Sequence, residues 1–199
     1  MTTNPDTRQR IVDAAATLFH TQSYSDVGIT SICKQANVSK GSFFHFFPSK
    51  RDLGLAVLEQ FRERINKTLV AKAFSPEHPP LERLNRFVEE LYNFQKAQAD
   101  EHGHLPGCPF GNIVMEQATQ DDVLRKKAEG CIRSITNHIR TAIADAVQRG
   151  DLPPLNEERT AEAMFGYLEG IQLMAKARND AELIRQLGPA VITIRVLRE

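Results

Sequence analysis

Ser39, Lys40, Gly41 and Ser42 stand together at the start of a helical pattern, and their types suit contact with a polyanion. Hydroxyls and an ammonium donate hydrogen bonds, and a residue without a Cβ lets a foreign backbone come close. Ser49 can cap the helix that follows, so that its first unpaired N–H groups and the Lys50 ammonium form an anion site suited to a phosphate. Between these two places runs FFHFF, residues 43–47. Residues four apart share a helix face, so Phe43 and Phe47 turn to the core together while Phe44 and His45 turn toward the backbone of a bound nucleic acid. That reading outweighs an aromatic platform for stacking single-stranded bases.

A second chemical feature is HGHLPGCPFGN, residues 102–112. With Pro109 as the first helical position, Cys108 becomes the N-cap, where unpaired N–H groups and the helix dipole stabilise a thiolate. Such a position lowers a thiol pKa from about 8.5 toward neutrality. Two readings of Cys108 stand: a thiol that senses electrophiles, or a small capping residue in a rigid turn flanked by Gly107 and Gly111. An enzyme would pair Cys108 as nucleophile with His102 or His104 as base. A metal site would use the same three residues, but the spacing is loose and a structural site wants four ligands, so no metal is expected. No GxGxxG, Walker, HExxH or GxSxG motif occurs, so no cofactor is expected either. Cys33 and Cys131 fall on apolar helix faces and read as core. Three cysteines without a CxxC spacing exclude a disulfide framework.

These residues need a scaffold, and the composition allows one. The chain has 199 residues, 41% hydrophobic and 25% charged, enough to bury a core in one large or two small domains. It has no run of about 18 apolar residues and no hydrophobic signal core at its start, which reads as a cytoplasmic protein with no membrane partner. Its 25 basic and 25 acidic residues cancel, but the segment from Val27 to Arg51 holds Lys34, Lys40, Lys50 and Arg51 with no carboxylate. That is a local cationic zone of modest size.

Apolar spacing is helical throughout, with no internal repeat, so the fold class is all-α. Ile11, Ala14, Ala15, Leu18 and Phe19 line a first helix that ends near Gln22. Ile29, Ile32, Cys33 and Ala36 line a second, stopped by Asn37, and Ser39 opens a third that Pro48 closes. Two short helices across a tight turn make a helix-turn-helix, whose second helix presents its N-terminal side chains to the major groove. Leu53, Val57, Phe61, Ile65 and Leu69 line a long fourth helix, closed by SPEHPP. Leu81, Leu84, Val88, Leu91 and Gln95 line the next. A short helix from Pro109 and a long one from Asp121 or Asp122 follow. Ala161, Phe165, Leu168, Ile171 and Ala175 line a penultimate helix with Gly166 and Gly170 on its surface. A last helix runs through Leu183, Leu187, Val191 and Ile194, kinked or divided at Pro189.

Residues 10–53, RIVDAAATLFHTQSYSDVGITSICKQANVSKGSFFHFFPSKRDL, resemble the N-terminal domain of the TetR family of bacterial repressors. The landmarks are RIVDAAATLF, the ICKQANVSKGS turn and FFHFFPSKRDL. The resemblance implies an all-helical homodimer of roughly nine helices. Residues 1–52 would form a helix-turn-helix DNA-binding domain, and residues 53–199 a ligand-binding and dimerisation domain. It places Thr30 where a second-helix side chain reaches bases, puts Lys40, Gly41, Ser42 and His45 on the recognition helix, and puts Lys50 on a phosphate. Phe44 departs from the family's usual tyrosine, leaving van der Waals contact to the sugar-phosphate in place of a hydrogen bond. Gly28 replaces the common Ser or Thr cap, and Asn37 the usual turn glycine. GCPFGN is similar to a segment of the subgroup that includes the N-ethylmaleimide-responsive repressor, although Pro109 and Phe110 replace leucines expected there. The last two helices resemble the pair that forms the dimer bundle.

The expected function is therefore a transcriptional regulator. A homodimer would be released from palindromic double-stranded operator DNA by a small-molecule or electrophile inducer. Tyr92, Phe110, Met115, Glu116 and Tyr167 are the candidates to line the inducer pocket, with Cys108 as sensor. The rival readings are a cysteine-dependent enzyme, which leaves residues 10–53 unexplained, and a ligand-binding protein without operator binding.

Overall fold

Apolar residues spaced three and four apart bury one face of a helix, and each such stripe but the last is helical along its length in the computed structural model, which describes residues 5–198 with side chains from Thr7. In chain order these are α1 Pro5–Thr21, α2 Ile29–Ala36, α3 Lys40–Phe46 and α4 Lys50–Ile65. A π-turn, Asn66–Val70, and a last turn, Ala71–Ala73, continue α4. Then come α5 Pro80–His102, α6 Pro109–Gln117, α7 Asp122–Arg149, α8 Glu157–Arg178 and α9 Glu182–Leu187, followed by a 3₁₀ segment, Gly188–Thr193. No strand occurs among the described residues, so the fold is all-α.

The chain divides into two compact units, one comprising Met1–Glu63 with Pro109–Cys131 and the other Arg64–Cys108 with Ile132–Glu199. In the first, Ile11, Ile32, Phe43, Leu53, Leu58 and Phe110 are wholly buried. Each such side chain contributes about 1.5–3 kcal/mol on burial, so this cluster is what fixes the short helices α2 and α3. Gly54 lets α4 close onto it, because a Cβ there would stand 3.0 Å from the Tyr24 ring and 3.2 Å from Leu124.

The core of the second unit is built from Leu84, Val88, Ile139, Ile143, Met164 and Ile184. Arg83 fastens the loop before α5, donating to the His78 carbonyl at 2.8 Å and pairing with Asp145 at 2.6 Å. On α8 the buried stripe is Ala161, Met164, Leu168, Ile171 and Ala175, so Met164 takes the core position expected of Phe165, which is only half-buried. Alternating steps of three and four from Ala161 land on 164, not 165.

The end of the chain departs from a single last helix. α9 stops at Leu187, since Pro189 has no N–H to return to the Arg185 carbonyl, and the backbone tightens into the 3₁₀ segment. Leu187 is accordingly 37% exposed, whereas Val191 stays buried.

Candidate nucleic-acid interface

The helix-turn-helix is set by local rules. Asn37 takes the left-handed conformation (φ 52°) that ends α2, and its N–H and that of Val38 return to the Lys34 and Cys33 carbonyls. Ser39 Oγ then accepts the Ser42 N–H at 3.0 Å and opens α3. Phe43 and Phe47 are buried together, their ring centres 6.1 Å apart, while Phe44 is 51% exposed and packs edge-on against Phe43. His45 is exposed, with its ring edge on Phe46.

The outward surface of this unit carries Thr30, Lys34, Lys40, Gly41 and His45, all exposed, with Ser42 half-buried beside Ser39. A Cβ on Gly41 would meet only Ser39 Oγ, at 3.7 Å. The fold itself therefore leaves the space over Gly41 open, as close approach of another backbone requires. Gly28 starts α2 without a side-chain cap.

Lys50 is less open than its place in the sequence suggests. Its ammonium donates to the Ser25 carbonyl at 3.2 Å and stands 4.5 Å from the centre of the Tyr24 ring. Burial pulls it below the ordinary lysine pKa, against the opposing pull of Glu116 and Asp26. At the start of α4, Ser49 Oγ accepts the Asp52 N–H at 3.2 Å, the cap expected there.

The loop between α1 and α2 is held by α6. Glu116 accepts from Ser23 Oγ at 3.1 Å, from the Tyr24 N–H at 3.2 Å and from the Ser25 N–H at 2.8 Å. Gln117 Nε2 adds a bond to Ser25 Oγ at 2.9 Å. Arg51 pairs with Asp121 at 2.5 Å, and Asp121 also caps α7 through the Val123 and Leu124 N–H groups. Burial, with Asp121 second, pushes the Tyr24 hydroxyl up to about 12. No sequence signal marks Glu116 for this work, because its partners lie more than ninety positions away.

The residues expected around a ligand fall into both units. Phe110 is wholly buried, Met115 is 79% exposed and Glu116 is engaged as described, all in the first unit. In the second, the Tyr92 hydroxyl donates to Glu182, and the Tyr167 hydroxyl donates to the Leu187 carbonyl at 2.8 Å. Cys108 directly precedes Pro109, the first residue of α6, and is half-buried. Cys33 and Cys131 are buried, and that burial raises both thiols. Beside Cys108 lies a polar group: Gln95, on the buried stripe where the sequence places it, with Gln172, also buried, and Glu169, which the sequence does not mark; burial raises the Glu169 carboxyl while the Cys108 thiol and the Gln172 amide pull it back. Among the described residues no cluster of His, Cys, Asp and Glu is arranged to hold a metal.

A family model described as bacterial regulatory proteins, tetR family, matches residues 11–57, and one described as tetracyclin repressor-like, C-terminal domain, matches residues 80–191. The chain is 30% identical to the transcriptional regulator AcuR of Cereibacter sphaeroides over 169 residues, 84% of this chain and 75% of that one. It is 24% identical to the HTH-type transcriptional repressor NemR of Escherichia coli K12 over 181 residues, 90% and 89% of the two chains. The crystal structure of a regulatory protein TetR from Rhodobacter sphaeroides has a TM-score of 0.79 and 27% identity, covering 94% of this chain and 98% of its own.

Proposed function

The chain belongs to the TetR family of DNA-binding transcriptional regulators, and from that premise we propose that it is a homodimeric repressor released from a palindromic operator by a ligand bound in its C-terminal domain. The observation that carries the reading is the polar, open first turn of α3, Ser39 to Ser42, delivered by the left-handed Asn37 turn. Its hydroxyls, Lys40 and His45 read base edges while Thr30 reaches bases from α2. Lys50 and Phe44 meet the sugar-phosphate backbone.

A single head holds few base contacts, so two heads on a two-fold axis are needed. The exposed apolar residues Leu173 and Met174 on α8, with open space above Gly166 and Gly170, support a dimer face there. Among the described residues no helix is long and apolar enough to cross a membrane. The cytoplasm, where operator DNA is found, is the proposed site of action.

The proposed functional split between DNA contact and response falls at residue 52, inside the first compact unit, which runs on to Glu63. Tyr92, Phe110, Met115, Glu116 and Tyr167 remain candidates to respond to the inducer. Cys108 is the one thiol of the three that burial does not close off, which favours it as the place where an electrophile acts. Likeness to NemR over 90% of the chain supports that subgroup. A coupling of about 1–3 kcal/mol would weaken operator binding some 5- to 150-fold, enough to switch a promoter.

Footprinting on the DNA flanking the gene, with wild type and Cys108→Ser, each with and without N-ethylmaleimide, tests the whole reading. A protected palindrome is expected, lost on treatment of wild type and kept in the variant. No protected site at low salt refutes operator binding, and an equal response of both proteins refutes the sensor.

A further inference from the structure

Glu169 and Gln172 lie three positions apart on α8 and so share a face, and Gln95 of α5 meets them there. The hydrogen bonds among them run in one direction. The Glu169 carboxylate accepts Gln172 Nε2 at 2.9 Å, which turns Gln172 Oε1 toward Gln95, whose Nε2 it accepts at 2.9 Å. Gln95 Nε2 also donates to the Gly107 carbonyl at 3.1 Å. Both amides are thereby fixed, because a flip of either would set acceptor against acceptor. What is left over is Gln95 Oε1, a wholly buried acceptor without a hydrogen-bond partner, on a residue 1% exposed.

We propose that Gln95 Oε1, the Glu169 carboxylate and the Cys108 sulfur form a recognition site for the cationic head of an amine or guanidine ligand. The site rests on reading this unit as the ligand-responsive part of a DNA-binding regulator. Its chemistry is one-sided: an amide oxygen without a donor, and a carboxylate steadied by a thiol and an amide. A buried acceptor is a standing cost until a donor reaches it, and a buried carboxylate is best matched by a charged donor. An N–H cation supplies both needs at once. A neutral alcohol supplies one donor and no charge, and an anion is repelled. Glu169 and Cys108 are half-buried, so the charged end of the site is the end that a ligand reaches.

Calorimetric titration of the full chain with benzylamine, n-butylguanidine and the neutral isostere benzyl alcohol tests this. At least one of the two cations is expected to bind at least tenfold more tightly than benzyl alcohol. Glu169→Gln should weaken that binding at least tenfold, and Gln95→Leu should weaken it too, which keeps the test open should one variant fold poorly. Absence of binding by both cations, equal binding of benzyl alcohol, or unchanged binding in the variants overturns the proposal. Gel shifts on the same samples separate it from the regulator reading. Operator binding without amine binding removes this site alone, and amine binding without operator preference removes the regulator reading alone.

Discussion

Lys50 Nζ donates to the Ser25 carbonyl at 3.2 Å, so the ammonium expected to meet a phosphate rests on the α1–α2 loop in the free protein. The Tyr24 ring below it adds a cation–π contact at 4.5 Å. Reaching DNA exchanges one carbonyl for a phosphate oxygen, a stronger charge-assisted partner. Lys50→Ala is therefore expected to weaken binding to operator and random duplex alike. Its plot of log K against log salt should flatten by about 0.9, one released counterion's worth. Fluorescence anisotropy across a salt series checks this, and identical slopes for the two proteins refute the phosphate contact.

Glu116 is the anchor of that same loop, with three donors converging on one carboxylate. Hydrogen bonds to a charged acceptor are worth about 1.5–3 kcal/mol each when shielded, but two of these are only part-buried and that from Ser25 is exposed, so Glu116→Ala should cost about 2 kcal/mol in all. Glu116→Gln, which keeps a carbonyl oxygen but loses the charge, should cost about half as much. Urea unfolding at neutral pH reads both. Equal midpoints for wild type and alanine variant would show that the loop holds itself.

What the sequence reveals here is what local rules govern. The left-handed Asn37, the Ser39 cap and the paired burial of Phe43 and Phe47 each follow from residues within four positions of one another. So does the all-α class, which is repeated local periodicity. Glu116 with Ser25, 91 positions apart, and Gln95 with Gln172, 77 apart, are products of tertiary folding and leave no periodic trace. The same limit explains Met164: Phe165 is the larger apolar residue, but helix rotation about the Ala161 stripe decides which one is buried. Lys50 is an intermediate case. Its place at the start of α4 is legible, and its rest on Ser25 is not.

Gly188 is where the end of the chain meets α5. A Cβ there would stand 2.3 Å from Val88 Cγ1, inside any van der Waals contact. Valine is stiff about χ1 and Val88 is buried, so it has little room to yield. Gly188→Ala is expected to lower stability by about 1–3 kcal/mol through overpacking. Val88→Ala removes the clashing methyl, so the double variant should lose less than the sum of the two single changes. A double-mutant cycle by urea unfolding checks the sign, and strict additivity would refute the contact.

Glu59 gives the fold a specific acid sensitivity. It accepts from Arg62 Nε at 2.9 Å and pairs with Lys127 at 2.5 Å, and these partners, Arg62 first, hold its carboxyl down at about 2. A folded pKa below the unfolded value, about 4.3, means that the pairing stabilises the protein above that value. The contribution is lost as pH falls from about 5 toward 2. Glu59 is about one-third exposed (34%), so solvent screening reduces its worth, to about 1–2 kcal/mol rather than the full linkage figure. Glu59→Gln should be less stable than wild type by that amount at pH 7, and the gap should narrow as pH drops below 4. Urea unfolding of both proteins across that range decides it. A difference independent of pH would assign the loss to packing rather than to the ion pairs.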